Sequence, residues 1–264
     1  MSFTSNLRGD LVIDDNIAAG FAQQNRGRGR GYMARDWDAN PFASYANAFS
    51  APVIPRDEWD ERIEELERTK SLLTDLEAYR KVPVLDQKKT NYCWCYGAVA
   101  GIMARSAAQG TAIPDLSAAS AAAKIKNYQN VGGWGGEAIA GIKKFGVSTL
   151  EHWPNAAIDP QYDTHEQQLN AKQHMAVEFE ELNPKSFDEV MSCLLLGFPV
   201  PAGLLWWGHL VCFMDPLIIK PGQYGVRFKN SWGAKWEKNG HGILTEKKAT
   251  PDEANCIRTV SLTA

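Results

Sequence analysis

The chain contains one long run of small and apolar residues, and this run constrains the fold more than any other feature. Residues 94–108 are mostly small or apolar and include no proline. Such a run predicts a helix that is buried nearly all round. Asn91 is the predicted N-cap of this helix, because its side-chain oxygen can accept a hydrogen bond from a free backbone N–H.

Cys93 falls in the first turn of the predicted helix. Free N–H groups and the helix dipole stabilise a thiolate at this position, and the thiolate is the nucleophilic form of cysteine. Cys93 is therefore a candidate nucleophile. The alternative is an inert core cysteine, which is the commoner fate of a cysteine in an apolar helix.

Two later stretches supply the partners that a nucleophilic cysteine needs. Residues 206–214 contain His209, and residues 225–233 contain Asn230; both stretches are apolar and aromatic, as strands are. Turn residues at 215–216 and 221–222 lie between them. If the strands pair as a hairpin, His209 lies roughly opposite Asn230. The imidazole could then take the thiol proton, while the amide fixes the orientation of the ring.

These residues, taken in order and spacing, resemble the papain family of cysteine proteases. The resemblance rests on Gln87, Cys93-Trp94, a glycine followed by His209, and the run Lys229-Asn-Ser-Trp-Gly233, and it covers about residues 83–250. It implies an α+β protein with two lobes. A helical lobe would span about residues 83–180, and a β-barrel-like lobe about residues 181–264.

The resemblance also implies a role for each motif residue. Cys93 would be the nucleophile, His209 the general base, and Asn230 the residue that orients His209. Trp232 would shield the His–Asn hydrogen bond from water. The side-chain amide of Gln87 and the backbone N–H of Cys93 would form the oxyanion hole.

A glycine pair between the Cys and His segments, Gly132-Gly133, resembles the pair with which the family binds the backbone of a peptide substrate. Side chains at these positions would block close approach. The chain also departs from the family, because Thr90 and Val131 stand where two bridged cysteines are usual. The implied function is a cysteine endopeptidase acting through a thioester acyl-enzyme. A catalytically silent papain-fold protein that docks into an assembly, and an acyl transferase or deconjugating enzyme, remain alternatives.

The residues before the predicted peptidase domain (83–264) divide into two parts. Residues 1–54 form an extension, and residues 55–82 an amphipathic helix with Trp59 and Ile63 on its apolar stripe. This helix is expected to pack on its own domain, and a cleft-blocking proregion is the alternative. The extension or the helix could also bind an assembly partner.

A short Arg-Gly repeat at residues 26–31 is the most unusual feature of the extension. Its two interpretations are a contact with nucleic acid or another anionic surface and a flexible solvated arm, and the presence of only three arginines favours the arm. Aromatic residues recur downstream at Tyr32, Trp37, Phe42, Tyr45 and Phe49. They suit an arm that docks on its own body or on a partner.

Composition also limits the expected partners, cellular location and cofactors of the protein. The net charge of −3 gives no argument for nucleic acid or a membrane as partner, and no stretch has signal-peptide or transmembrane character. A cytoplasmic location is therefore expected. Five cysteines without framework spacing predict no disulfides. Cys93 and Cys95 lack the second ligand pair that zinc needs, so we expect no metal and no cofactor.

Overall fold

The computed structural model describes residues 7, 9–40 and 46–262, so the predicted arm residues Phe42 and Tyr45 lie outside the described residues. The helices are α1 (Ala18–Gln24), α2 (Trp59–Thr69), α3 (Leu73–Arg80), α4 (Cys93–Gln109), α5 (Ala118–Ile125), α6 (Gly135–Phe145), α7 (His165–Ala171), α8 (Phe187–Leu195) and α9 (Glu246–Ala249). The strands are β1 (Val12–Ile13), β2 (Asn47–Ala48), β3 (His174–Glu181), β4 (Val200–Leu204), β5 (His209–Lys220), β6 (Gln223–Lys229), β7 (His241–Thr245) and β8 (Glu253–Leu262).

The strands of the described residues form one open sheet in the order β1-β7-β6-β5-β4-β8-β3-β2. The two edge strands pair in parallel with their neighbours, and the other pairings are antiparallel. The predicted α+β class is confirmed. The β-rich part, however, is an open sheet rather than the expected barrel-like lobe, and both of its edges come from the first 50 residues.

Helix α4 lies against the sheet and carries Cys93 at its first position, as predicted. Gly97 allows this close packing, because a Cβ there would lie 2.3 Å from the side chain of Leu210. The predicted N-cap is wrong. The cap residue is Tyr92, with no side-chain cap hydrogen bond, and the Asn91 side chain donates instead to the Asn130 carbonyl.

The amphipathic helix predicted for residues 55–82 is broken into two. Lys70 adopts a left-handed conformation at φ 56°, which ends α2 before α3 begins. Trp59 and Ile63 are fully buried in the hydrophobic cluster that includes residues of α8 and β5. This packing supports a helix that belongs to its own domain. The proposed domain boundaries themselves stay a prediction.

One further expectation differs from the structure. Asp215 and Pro216, interpreted as turn residues, lie inside β5. Asp215 is tolerated there because Thr74 donates to it and Arg227 lies 3.6 Å away. Within the described residues, no helix is long and apolar enough to cross a membrane.

Candidate active site

Cys93 lies fully buried at the start of α4. The backbone N–H groups of Leu210, Tyr32 and Trp94 lie near enough to its sulfur to act towards a lower pKa of the thiol. Leu210 directly follows His209, so the fold brings the cysteine to the start of the histidine strand. The contact with Tyr32 was not foreseen from the sequence, and it belongs to the N-terminal extension.

His209 and Asn230 meet as the sequence predicted. His209 Nε2 lies 2.8 Å from Asn230 Oδ1, and the backbone N–H of Ser231 donates to the same oxygen at 2.8 Å. Since Oδ1 is an acceptor, Nε2 carries the ring proton of the neutral imidazole. Nδ1 is buried and has no hydrogen-bond partner among the residues described, which leaves its lone pair available to accept a proton.

Two indole rings enclose the imidazole. The Trp232 ring centroid lies 4.9 Å from that of His209, in keeping with the shielding role expected for it. The Trp207 ring lies at 4.7 Å, and its contribution was missed in the sequence. Both indoles are almost fully buried, so the His–Asn hydrogen bond lies in an apolar, low-dielectric surrounding.

Burial sets the protonation states of the pair. It raises the pKa of Cys93 to about 12, although the three N–H groups act in the opposite direction. It lowers the pKa of His209 to about 3 against the effect of the Asn230 hydrogen bond. The predicted stabilised thiolate is therefore wrong for this conformation. The helix start contributes with the expected sign, but loss of water contact outweighs it.

Gln87 is fully buried and contacts Ser231, the residue after Asn230. Its Nε2 donates to the Thr90 carbonyl at 2.7 Å, and its Oε1 accepts a hydrogen bond from the Ser231 hydroxyl. Nε2 is close to Gly29, where an added Cβ would lie 3.0 Å from it. Gln87 is thus held in one orientation by Ser231, a positioning contact that the sequence did not suggest.

A segment of the N-terminal extension, residues 28–33, runs through the groove over these residues; we call it the strap. Trp232 Nε1 donates to the Gly29 carbonyl at 2.9 Å, and the Tyr32 N–H donates to the Gly208 carbonyl at 3.2 Å. The Arg28 guanidinium lies 5.2 Å from the Trp232 ring centroid. Residues 28–31 of the Arg-Gly repeat therefore dock on the body of their own chain, whereas Arg26 and Gly27 are exposed.

The predicted substrate-binding glycines pair with the strap. The Gly133 N–H donates to the Gly31 carbonyl at 2.9 Å, and the Met33 N–H donates to the Gly133 carbonyl at 2.9 Å. A Cβ at Gly132 would lie 2.5 Å from the Gly31 oxygen, so a side chain there would block the approach. An extended backbone can thus lie along this glycine pair, and here that backbone is the chain's own.

The Tyr32 side chain fills a pocket next to Cys93. Gly203 pairs with Leu210 on one side and with Glu253 on the other, so all three face the same side of the sheet. The tyrosine ring lies in the gap above Gly203, where a Cβ would be 2.1 Å from it. We call this gap the Tyr32 pocket; nothing in the sequence suggested it.

Glu253 forms one wall of the Tyr32 pocket and is almost fully buried. Its carboxylate accepts hydrogen bonds from the N–H groups of Gly135 and Gly136 at 2.9 and 2.8 Å, at the start of α6. Burial nevertheless raises the pKa of Glu253 to about 7. The pocket therefore has an apolar wall and an ionisable wall.

All five cysteines are free and buried. In the described parts of the chain, no group of three or more His, Cys, Asp or Glu residues is placed to hold a metal ion. The groups that the site itself offers are the Cys93 thiol, the His209 imidazole and the surrounding amides.

Solved structures match almost the whole fold. Xylellain, a cysteine protease from Xylella fastidiosa, matches with a TM-score of 0.62 at 14% identity, over 88% of this chain and 97% of its own. Digestive procathepsin L 3 from the larval midgut of Tenebrio molitor gives 0.56 at 15%, over 91% and 86%. Bromelain from Ananas comosus, in complex with the E64 inhibitor, gives 0.57 at 17%, over 71% and 97%. The chain has a papain-like fold.

At sequence identities of 14–17%, these similarities show that the fold is shared and do not show that the chemistry is. No protein-family model matches the sequence, and no curated protein matches it significantly.

Proposed function

We propose that the chain is a papain-like cysteine peptidase that cleaves peptide bonds through Cys93, His209 and Asn230. The observation that carries the proposal is the buried hydrogen bond of 2.8 Å between His209 Nε2 and Asn230 Oδ1, in a fold that brings the next residue, Leu210, against the sulfur of Cys93. This arrangement leaves Nδ1 of the imidazole as the proton acceptor for a thiol.

The reaction begins once the strap has left the groove. A substrate backbone pairs with Gly133, and its carbonyl carbon lies over Cys93. The thiol proton passes to His209 Nδ1 as the S–C bond forms, and the carbonyl oxygen becomes an oxyanion. The Gln87 amide and the Cys93 N–H stabilise this charge; each such donor typically contributes about 3 kcal/mol.

The tetrahedral intermediate then collapses to a thioester. The C–N bond breaks, and the imidazolium of His209 gives its proton to the leaving amine. Water next attacks the thioester, with the imidazole as base, and releases the carboxylic acid and the free thiol of Cys93. Asn230 holds the ring in one tautomer through both half-reactions.

A second candidate is a catalytically silent papain-fold protein, and the complete burial of Cys93 favours it. The test is hydrolysis of a fluorogenic peptide library by a variant with a displaced strap, Gly29→Ala. The peptidase hypothesis expects hydrolysis that disappears in the double variant Gly29→Ala/Cys93→Ala. Absence of hydrolysis, with Cys93 open to small thiol reagents, would favour the silent protein.

A further inference from the structure

The strap fits its groove through an alternation of glycine and larger residues. A Cβ at Gly29 would lie 2.4 Å from the Thr90 carbonyl oxygen and 2.8 Å from that of Lys88, both of them backbone atoms. A Cβ at Gly31 would lie 2.2 Å from the Asn91 carbonyl oxygen. Gly29 and Gly31 therefore face the wall formed by residues 88–91, where no side chain fits.

The larger strap residues face the opposite wall. Arg30 donates to the Trp207 carbonyl at 2.9 Å, and Arg28 lies over the Trp232 ring. Tyr32, only 6% exposed, is inserted above Gly203. The strap thus takes up the space beside Gln87, the pairing atoms of Gly133 and the Tyr32 pocket, all of which a peptide would need.

The segment on the N-terminal side of the strap packs against the rest of the protein. β1 pairs with β7 in the main sheet. In α1, the Phe21 ring packs edge-on against the Trp207 ring, with centroids 5.0 Å apart. These contacts hold the polypeptide in place up to a few residues before Arg28.

The segment on the C-terminal side of the strap also packs against the rest of the protein. Arg35 forms a buried ion pair with Glu181, and its guanidinium lies 4.8 Å from the Trp134 ring centroid. β2 pairs with β3 at the other edge of the sheet, and Trp59 and Ile63 are core residues. Loss of the residues before the catalytic part would uncover both sheet edges and a hydrophobic core.

We propose that the strap is a built-in gate, which closes the site and opens by moving out of the groove while the chain before and after it stays attached and folded. A peptide drives the opening by competing with the strap for Gly133 and the Tyr32 pocket. The apparent affinity of the peptide is then its affinity for the open form multiplied by the fraction of molecules that are open. The proposal rests on the proposed function for what the opened site does, but not for the opening itself.

The first experiment follows modification of Cys93 by iodoacetamide in the full-length protein, with intact-mass and peptide mass spectrometry. Gly29→Ala adds a Cβ against two backbone carbonyls and should raise the labelling rate at least tenfold. Gly27→Ala is the matched control in the same repeat, because a Cβ at Gly27 meets nothing within 4 Å. It should label at the wild-type rate. Cys93→Ser identifies the modified residue.

A second variant covers the case in which Gly29→Ala does not fold. Tyr32→Ala removes a buried ring without adding an atom, and Tyr79→Ala, at a residue that is 84% exposed, is its control. The gate proposal requires that a single iodoacetamide adduct, on Cys93, is found on a protein that still has its full-length mass. Unchanged labelling in a folded strap variant would overturn it, as would labelling confined to chains that have lost N-terminal residues.

The two proposals fail in different ways in these experiments. Fast labelling of full-length Gly29→Ala without peptide hydrolysis would refute the peptidase and keep the gate. Hydrolysis that begins only after the N-terminal residues have been cut away would keep the peptidase and refute the gate.

Discussion

Replacing Lys229 by methionine should strongly destabilise the protein, because it breaks a buried ion pair directly before Asn230. Lys229 Nζ lies 2.7 Å from Glu77 Oε1, and the two side chains are 1% and 5% exposed. The pair joins α3 to the end of β6. The variant leaves the Glu77 carboxylate in the core with only the imidazole of His241, 3.7 Å away, near its other oxygen.

Breaking a buried pair from one side costs about 3–5 kcal/mol, since one charge is left without compensation. The remaining histidine contact places the expected loss near the lower end, at about 3 kcal/mol. The assay is urea unfolding followed by tryptophan fluorescence, with the free energy of unfolding extrapolated to water. A loss of this size would lower the urea midpoint clearly without changing the slope.

The double variant Lys229→Met/Glu77→Leu provides the control. It removes both charges and keeps apolar volume in the core, so most of the lost stability should return. If Lys229→Met alone costs less than about 1 kcal/mol, or if the double variant is no more stable than the single one, the pair does not support the strand that carries Asn230.

Three further predictions concern the site. Asn230→Ala, made in the Gly29→Ala background, should lower kcat for peptide hydrolysis by about 10²-fold or more with little change in KM, because the imidazole loses the acceptor that fixes its tautomer; an unchanged kcat would remove Asn230 from the mechanism. The pKa of His209 in the folded chain, about 3, lies below its ordinary 6.5. Below pH 6.5 the unfolded chain therefore binds a proton that the native chain does not, and the free energy of unfolding decreases as the pH is lowered. Between pH 7 and 5 the wild type should lose about 2 kcal/mol of this free energy relative to His209→Asn, measured by urea titration. Parallel pH profiles of the two proteins would contradict this. Gly203→Val should eject the Tyr32 ring and speed iodoacetamide labelling of the cysteine, yet lower kcat/KM for peptides with a large side chain at the pocket relative to those with a small one; equal loss for both would show that the pocket does not receive a substrate side chain.

The sequence predicted those parts of the site that depend on local pattern and motif. Helix α4 follows from the composition of residues 94–108 alone, and the pairing of His209 with Asn230 follows from two apolar strands with a turn between them. The N-cap was wrong because Asn91 bonds to Asn130, a residue 39 positions away whose place depends on the tertiary fold.

The protonation state of Cys93 shows the same limit. Its position at a helix start was right, and the nearby N–H groups do lower its pKa. The dominant effect, burial, depends on the tertiary fold, including a contact with Tyr32 about 60 residues earlier, and no local rule foresees it. A signal was nevertheless present, since glycine at positions 29 and 31 allows the backbone to lie directly against another segment.

The edge strands were beyond sequence interpretation. β1 and β2 are each two residues long, too short to show a period-two pattern. Their pairing is decided by the exposed ladders of β7 and β3, which are distant in the sequence.

The position of these two short strands has a consequence for biosynthesis. β1 joins residues 12–13 to residues 243–244, and β2 joins residues 47–48 to residues 180–181. During translation the early segments emerge first and must wait for partners made much later. When β5, which begins with His209, is synthesised, the strap that contacts Cys93 has already been made. The nascent protein would then fold around the segment that covers Cys93, so the thiol would be enclosed as soon as its surroundings form.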